Sequence, residues 1–166
     1  MIDKRELILN QMLTLLMQVG NGWTAQVNGE QSVFRNRAEI PTDKLPALVL
    51  LDGRESLKGG QPKSMSTGLL PGQIPPQVYV LEPQVFIICK PRGTIENEGV
   101  GPELSTMRIK VLNAFLNDGD LGSLLGANGE LSYLGHETDL QTGSTVLGQM
   151  QLNLQLSYVF DPKDLN

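Results

Sequence analysis

The chain predicts an α+β fold: an antiparallel or mixed β-sheet with two main helices packed on one face and a long Gly/Pro-rich loop. Three observations carry that expectation. Near the end, Val146, Met150, Leu152, Leu154, Leu156, Tyr158 and Phe160 alternate with Gln149, Gln151, Asn153, Gln155 and Ser157. This is the period-two pattern of a strand with one core face and one polar face. Residues 4–18 and the stretch opened by Gly101-Pro102-Glu103 instead repeat their apolar residues at helical spacing. The order helix, strands, loop, strand, helix, hairpin then places helices mainly on one side of a sheet.

Asp3 can cap the first helix, with Glu6 completing an Asp-x-x-Glu capping box, and Leu9, Met12, Leu13 and Leu16 form its stripe. Gly20-Asn21-Gly22 stops it. A short strand is expected over Trp23–Val27, before the hairpin dipeptide Asn28-Gly29. The chain returns through Ser32 to Arg37. Ala47–Leu51, aliphatic and bracketed by Pro46 and an Asp52-Gly53 turn, reads as a buried strand. Residues 57–76 hold Gly59, Gly60, Pro62, Gly68, Pro71, Gly72, Pro75 and Pro76, which deny regular structure and predict a long excursion. Val78–Cys89 reads as a strand in which Pro83 marks an edge or a bulge. The second helix has Pro102 at its first position, with Leu104, Met107, Val111, Leu112 and Phe115 as its stripe, and ends at Asn117-Asp118-Gly119. Leu131–Glu137 is expected to pair with the last strand across a flexible turn at residues 138–144.

At 166 residues and 40% hydrophobic content the chain fits one domain, residues 1–166, burying about 70% of its unfolded surface. A net charge of −5 disfavours a protein that works by gripping duplex phosphates. The single cysteine, Cys89, excludes an intrachain disulfide and lies in an apolar run, as a buried free thiol does. No cleavable leader or membrane-length apolar run is expected, which places the newly made protein in the cytosol.

Catalytic patterns are sought and not found. His136, the only histidine, reads as a polar strand residue, and one histidine with one cysteine makes neither a relay nor a zinc site without help. Gly59-Gly60-Gln61-Pro62-Lys63-Ser64 fails as a phosphate loop, because Pro62 lacks the backbone donor. No cofactor and no metal is expected.

Residues 33–55 carry the strongest functional signal: an Arg35-Asn36-Arg37 strand, then a Pro46-Ala47-aliphatic strand ending in Asp52-Gly53-Arg54-Glu55. This string resembles tail terminator (tail completion) proteins of long-tailed bacteriophages, with a looser match in element order along the whole chain. The resemblance implies a non-enzymatic structural virion protein, an α+β subunit of a hexameric ring. Its ring would cap the tail tube at the head-proximal end of the tail and join it to the head-side connector protein. The implied partners are further copies of the chain, the tail tube protein and the connector, with DNA passing through the lumen without specific binding and no membrane. Assembly would take place in the host cytoplasm.

A closed ring needs two different complementary patches, which the mixed charges Arg35, Arg37, Asp52, Arg54 and Glu55 would supply through bidentate pairs. The 57–76 excursion matches no feature of that family. Composition leaves two readings: an arm anchored on a neighbour or the tube by Leu69, Leu70 and Ile74, or a disordered surface loop with no partner. Alternative readings are another head-tail connector or baseplate ring subunit, or a small cytosolic enzyme or ligand-binding domain with a pocket near His136.

Overall fold

The computed structural model describes residues 3–59, 76–90, 100–141 and 147–160. Its elements are α1 (Lys4–Gly20), β1 (Gln26–Val27), β2 (Glu30–Gln31), β3 (Val33–Arg35), a 3-10 turn (Thr42–Lys44), β4 (Ala47–Leu57), β5 (Gln77–Cys89), α2 (Val100–Asn117), α3 (Gly119–Leu125), β6 (Glu130–Gln141) and β7 (Leu147–Phe160). The fold is α+β with a mixed five-stranded sheet in the order β3-β4-β5-β7-β6; only β3 and β4 run parallel. The β1-β2 pair stands apart as a small hairpin. Its turn residues Asn28 and Gly29 both have positive φ, 55° and 82°, as a tight two-residue turn requires.

The helices pack on one sheet face. Leu9, Met12 and Leu16 from α1, Leu104, Met107, Val111 and Phe115 from α2, and Leu121 and Leu125 from α3 meet Leu48, Leu50, Leu81, Val85, Ile87, Leu152, Leu154 and Leu156 in one core. Gly148 on β7 lets the start of α2 approach, since a Cβ there would lie 1.9 Å from Val100 Cγ1. The alternation along β7 holds: Met150, Leu152, Leu154, Leu156 and Tyr158 are buried, while Gln149, Gln151, Asn153 and Gln155 lie on the other face and are half-buried.

Several expectations are corrected. Asp3 does cap α1, accepting from the Arg5 N–H at 3.0 Å, but the Glu6 carboxylate is turned to Arg35 rather than back to the cap. Strand pairing begins at Gln26 rather than Trp23, because the Trp23 and Thr24 N–H groups still bond back to the Gly20 carbonyl, each at 2.9 Å. A third helix follows the Asn117-Asp118-Gly119 stop. Asp118 that ends α2 also caps α3, accepting from the Leu121 N–H at 2.7 Å.

Asp52-Gly53 is no terminal turn. β4 continues to Leu57, and Asp52 and Gly53 together oppose the single Pro83 as a bulge. Pro83 therefore lies in the central strand, at the one level where no β4 partner asks for its missing N–H. On β6, Leu134 is likewise an extra residue, between the Tyr133–Leu154 and Gly135–Asn153 pairs. The two bulges fall at one level of the sheet. β6 runs to Gln141, so the expected turn at residue 138 is strand. Of the 57–76 excursion, Leu57 is strand and residues 60–75 lie outside the described residues, with Leu69, Leu70 and Ile74 among them.

Candidate assembly surface

Arg35, Asn36 and Arg37 do not act as one patch. In a regular strand residues i and i+2 share a face. Asn36, with φ of +54°, breaks that alternation and sends Arg35 toward the helices and Arg37 toward the helix-free face. Asn36 also fixes its neighbours: its N–H bonds the Leu50 carbonyl at 2.8 Å, and its Oδ1 accepts from the Asp52 N–H at 3.0 Å.

Held this way, Asp52 meets Arg35 in a bidentate pair, Nε to Oδ1 at 2.7 Å and Nη2 to Oδ2 at 2.8 Å. The same guanidinium donates to Glu6 on α1 at 2.5 and 2.8 Å. Arg35 thus ties α1, β3 and β4 together within the subunit. Asp52 is held below the ordinary carboxylate range, first by the Arg35 hydrogen bonds, with Asn36 and the charges of Arg35 and Arg5 adding to the effect against burial. Glu6 is lowered as well, chiefly by Arg35.

Glu55 accepts a hydrogen bond from Tyr158 Oη and lies 4.0 Å from Arg5 Nε. Burial first, then that carboxylate, push the Tyr158 phenol far above its usual value. Tyr158 also stacks on Tyr79, with ring centroids 6.2 Å apart. Arg35, Asp52 and Glu55 are therefore spent inside the fold. Sequence reasoning grouped them correctly as charges but missed their partners Glu6, Arg5 and Tyr158, which lie far away in the chain.

Arg37 and Arg54 remain on the helix-free side. Arg54 is 74% exposed and meets Glu82 at 3.4 Å. Arg37 lies over the Phe34 ring at 4.7 Å, with Lys44 on the same ring at 5.7 Å. Beside this corner Val49, Leu51, Phe86 and Ile88 line a hollow of about 100 Å³ whose rim includes Arg37, Ala38 and Gln149. The rest of the face is a row of amides: Gln84 and Gln151 both donate to Asn153 Oδ1, at 3.4 and 2.8 Å, and Gln155 donates to Glu82 at 3.2 Å.

At the opposite edge, β6 exposes Glu130, Glu137 and Asp139, and its bulge residue Leu134 is 57% exposed. His136 on this strand shares a 2.8 Å hydrogen bond with Tyr133 Oη. It is not brought to Cys89: by register His136 pairs with Leu152 while Cys89 lies at the level of Gly148, four residues or about 13 Å along the ladder, buried in the core. Among the described residues no three His, Cys, Asp or Glu side chains are grouped to hold a metal, and no helix is long and apolar enough to cross a membrane.

Among the described residues the sheet face opposite the helices is half apolar and half amide, with Arg37 and Lys44 beside Glu39 and Asp43 toward one side and Glu130, Glu137 and Asp139 on the β6 edge. No known family model and no curated protein sequence matches the chain.

Proposed function

We propose that the protein is a structural virion subunit of the tail terminator type. In this reading it forms a ring of six copies at the head-proximal end of a phage tail, where it stops the tail tube and joins it to the head connector. The observation that carries the reading is the sheet face that no described helix covers. Buried Val49 and half-buried Leu51, Phe86 and Ile88 line a hollow there beside the amide row, while the described helices pack on the other face. A subunit that completes itself only on assembly has this form. The resemblance of residues 33–55 supports the same reading. So does the net charge of −5, which suits a lumen that DNA must pass without being gripped. Another connector or baseplate ring subunit would share the uncovered face and differ only in its partners.

Sedimentation and native mass measurement of the purified chain, alone and with the tail tube protein, followed by electron microscopy, test the proposal. Rings with a hole wide enough for duplex DNA, bound weakly or not at all by DNA at physiological salt, are expected. A chain that stays monomeric with tube protein present and binds a small molecule tightly would overturn it.

A further inference from the structure

We infer that neighbouring copies join head to tail across the two sheet edges, the acidic β6 edge of one against the basic Phe34 corner of the next. This rests on the ring proposed above and names its interface. Within the described residues, β3 and β6 are the two free edges of the sheet. Their chemistry is opposite.

The β6 edge carries Glu130, Glu137 and Asp139 with no lysine or arginine along the strand. The β3 side carries half-buried Arg37 and Lys44 over one aromatic ring, with Lys90 Nζ reaching the Thr42 carbonyl at 3.5 Å; the exposed Glu39 and Asp43 stand in the same segment, so this corner is net basic by one charge where the β6 strand is acidic throughout. Two β6 edges brought together would set acid against acid, which disfavours a self-matched dimer there, and two net-basic corners gain less than a corner gains against the acidic edge. The heterologous pairing matches sign best, and it is the kind of contact that builds a ring when the rotation from copy to copy closes.

Shape agrees with charge. The β6 bulge pushes Leu134 out of the ladder, 57% exposed and three residues from Glu137. Next to Arg37 lies the hollow floored by Val49, Leu51, Phe86 and Ile88. An apolar knob beside carboxylates thus faces the complement of an apolar hole beside cations. The bulge interrupts the row of free β6 N–H and C=O groups, which turns the edge from a template for open-ended sheet growth into a side-chain contact.

The experiment is a charge swap read by sedimentation, with melting temperature as the check on folding. Glu137→Lys with Asp139→Lys, and separately Arg37→Glu with Lys44→Glu, should each leave the melting temperature close to wild type and raise the concentration needed for half-assembly by about tenfold or more. Leu134→Asp should do the same. Mixing the two reversed proteins should restore assembly as rings in which the two alternate, because each then meets only edges of opposite sign, and combining all four substitutions in one chain should restore assembly as well; a mixture that assembles no better than either reversed protein alone would overturn the pairing. Wild-type rings with single-edge reversals that assemble normally would overturn this interface and leave the ring itself standing. A wild-type chain that is monomeric at its highest soluble concentration, with or without tube protein, overturns both.

Discussion

Replacing Arg35 by leucine asks whether this arginine is a strut of the subunit or a charge held for assembly. The side chain is 20% exposed and its Asp52 partner 16%, with a bidentate contact at 2.7 and 2.8 Å. The pair therefore lies between an exposed pair, worth about 0–1 kcal/mol, and a buried one, whose breakage costs about 3–5 kcal/mol. The Glu6 arm is at the surface and screened by solvent, so it adds nothing to the figure. Arg5, 3.4 Å from Asp52, keeps part of the carboxylate's stabilisation in the variant. The expected loss is about 1–3 kcal/mol, which for a chain of this length lowers the melting temperature by about 2–12 °C.

The pH dependence sharpens the test. The folded-state pKa of Asp52 lies below its unfolded value of about 4, chiefly because Arg35 bonds its charged form. The stabilisation is fully present above about pH 4 and is lost as the pH falls through the folded value. Urea unfolding of wild type and Arg35→Leu should show a gap at neutral pH that narrows on acidification. A variant within about 0.5 kcal/mol of wild type at neutral pH, or a gap that stays constant into acid, would refute the internal strut and return Arg35 to the surface charges.

Truncating Leu154, 1% exposed in the core, to alanine should cost about 2–5 kcal/mol in denaturant unfolding, whereas Gln155→Ala on the opposite face should cost far less; equal losses would contradict the register of β7. Gly53→Ala should destabilise by more than about 2 kcal/mol, since φ is +71° and the new Cβ would lie 1.8 Å from the Glu82 carbonyl oxygen, a backbone atom that cannot swing aside; a near-neutral melting temperature would deny the bulge. The raised Tyr158 pKa contributes stability that is complete below about pH 10 and is lost as the pH rises toward the folded value. Tyr158→Phe should accordingly show a shallower alkaline decline than wild type, and parallel declines would place that titration elsewhere.

Patterns that repeat along the chain were legible in the sequence because a strand or helix buries one face whatever its partners are. The alternation of residues 150–158 and the stripes Leu9-Met12-Leu16 and Leu104-Met107-Val111-Phe115 could be read before any contact was known. The Asn28-Gly29 hairpin was equally local, since those two residues alone tolerate its positive φ values. Asp118 shows where local signals end: Asn-Asp-Gly reads as a stop, and only the Leu121 N–H aimed at its carboxylate turns it into a start.

The fate of the charges was decided in three dimensions. Arg35 and Arg37 are two residues apart and look alike in sequence. One became a strut and the other a half-buried cation over the Phe34 ring because Asn36 turns the backbone between them, and because Glu6 and Asp52 converge on only one side of the sheet. The meaning of Asp52-Gly53 was settled in the same way. A turn and a bulge begin with the same residues, and the single Pro83 opposite, contributed by another strand, makes this one a bulge. Side-chain periodicity is a property of one segment, whereas ion-pair partners, strand neighbours and the uncovered face are properties of segments that meet only when the chain has folded.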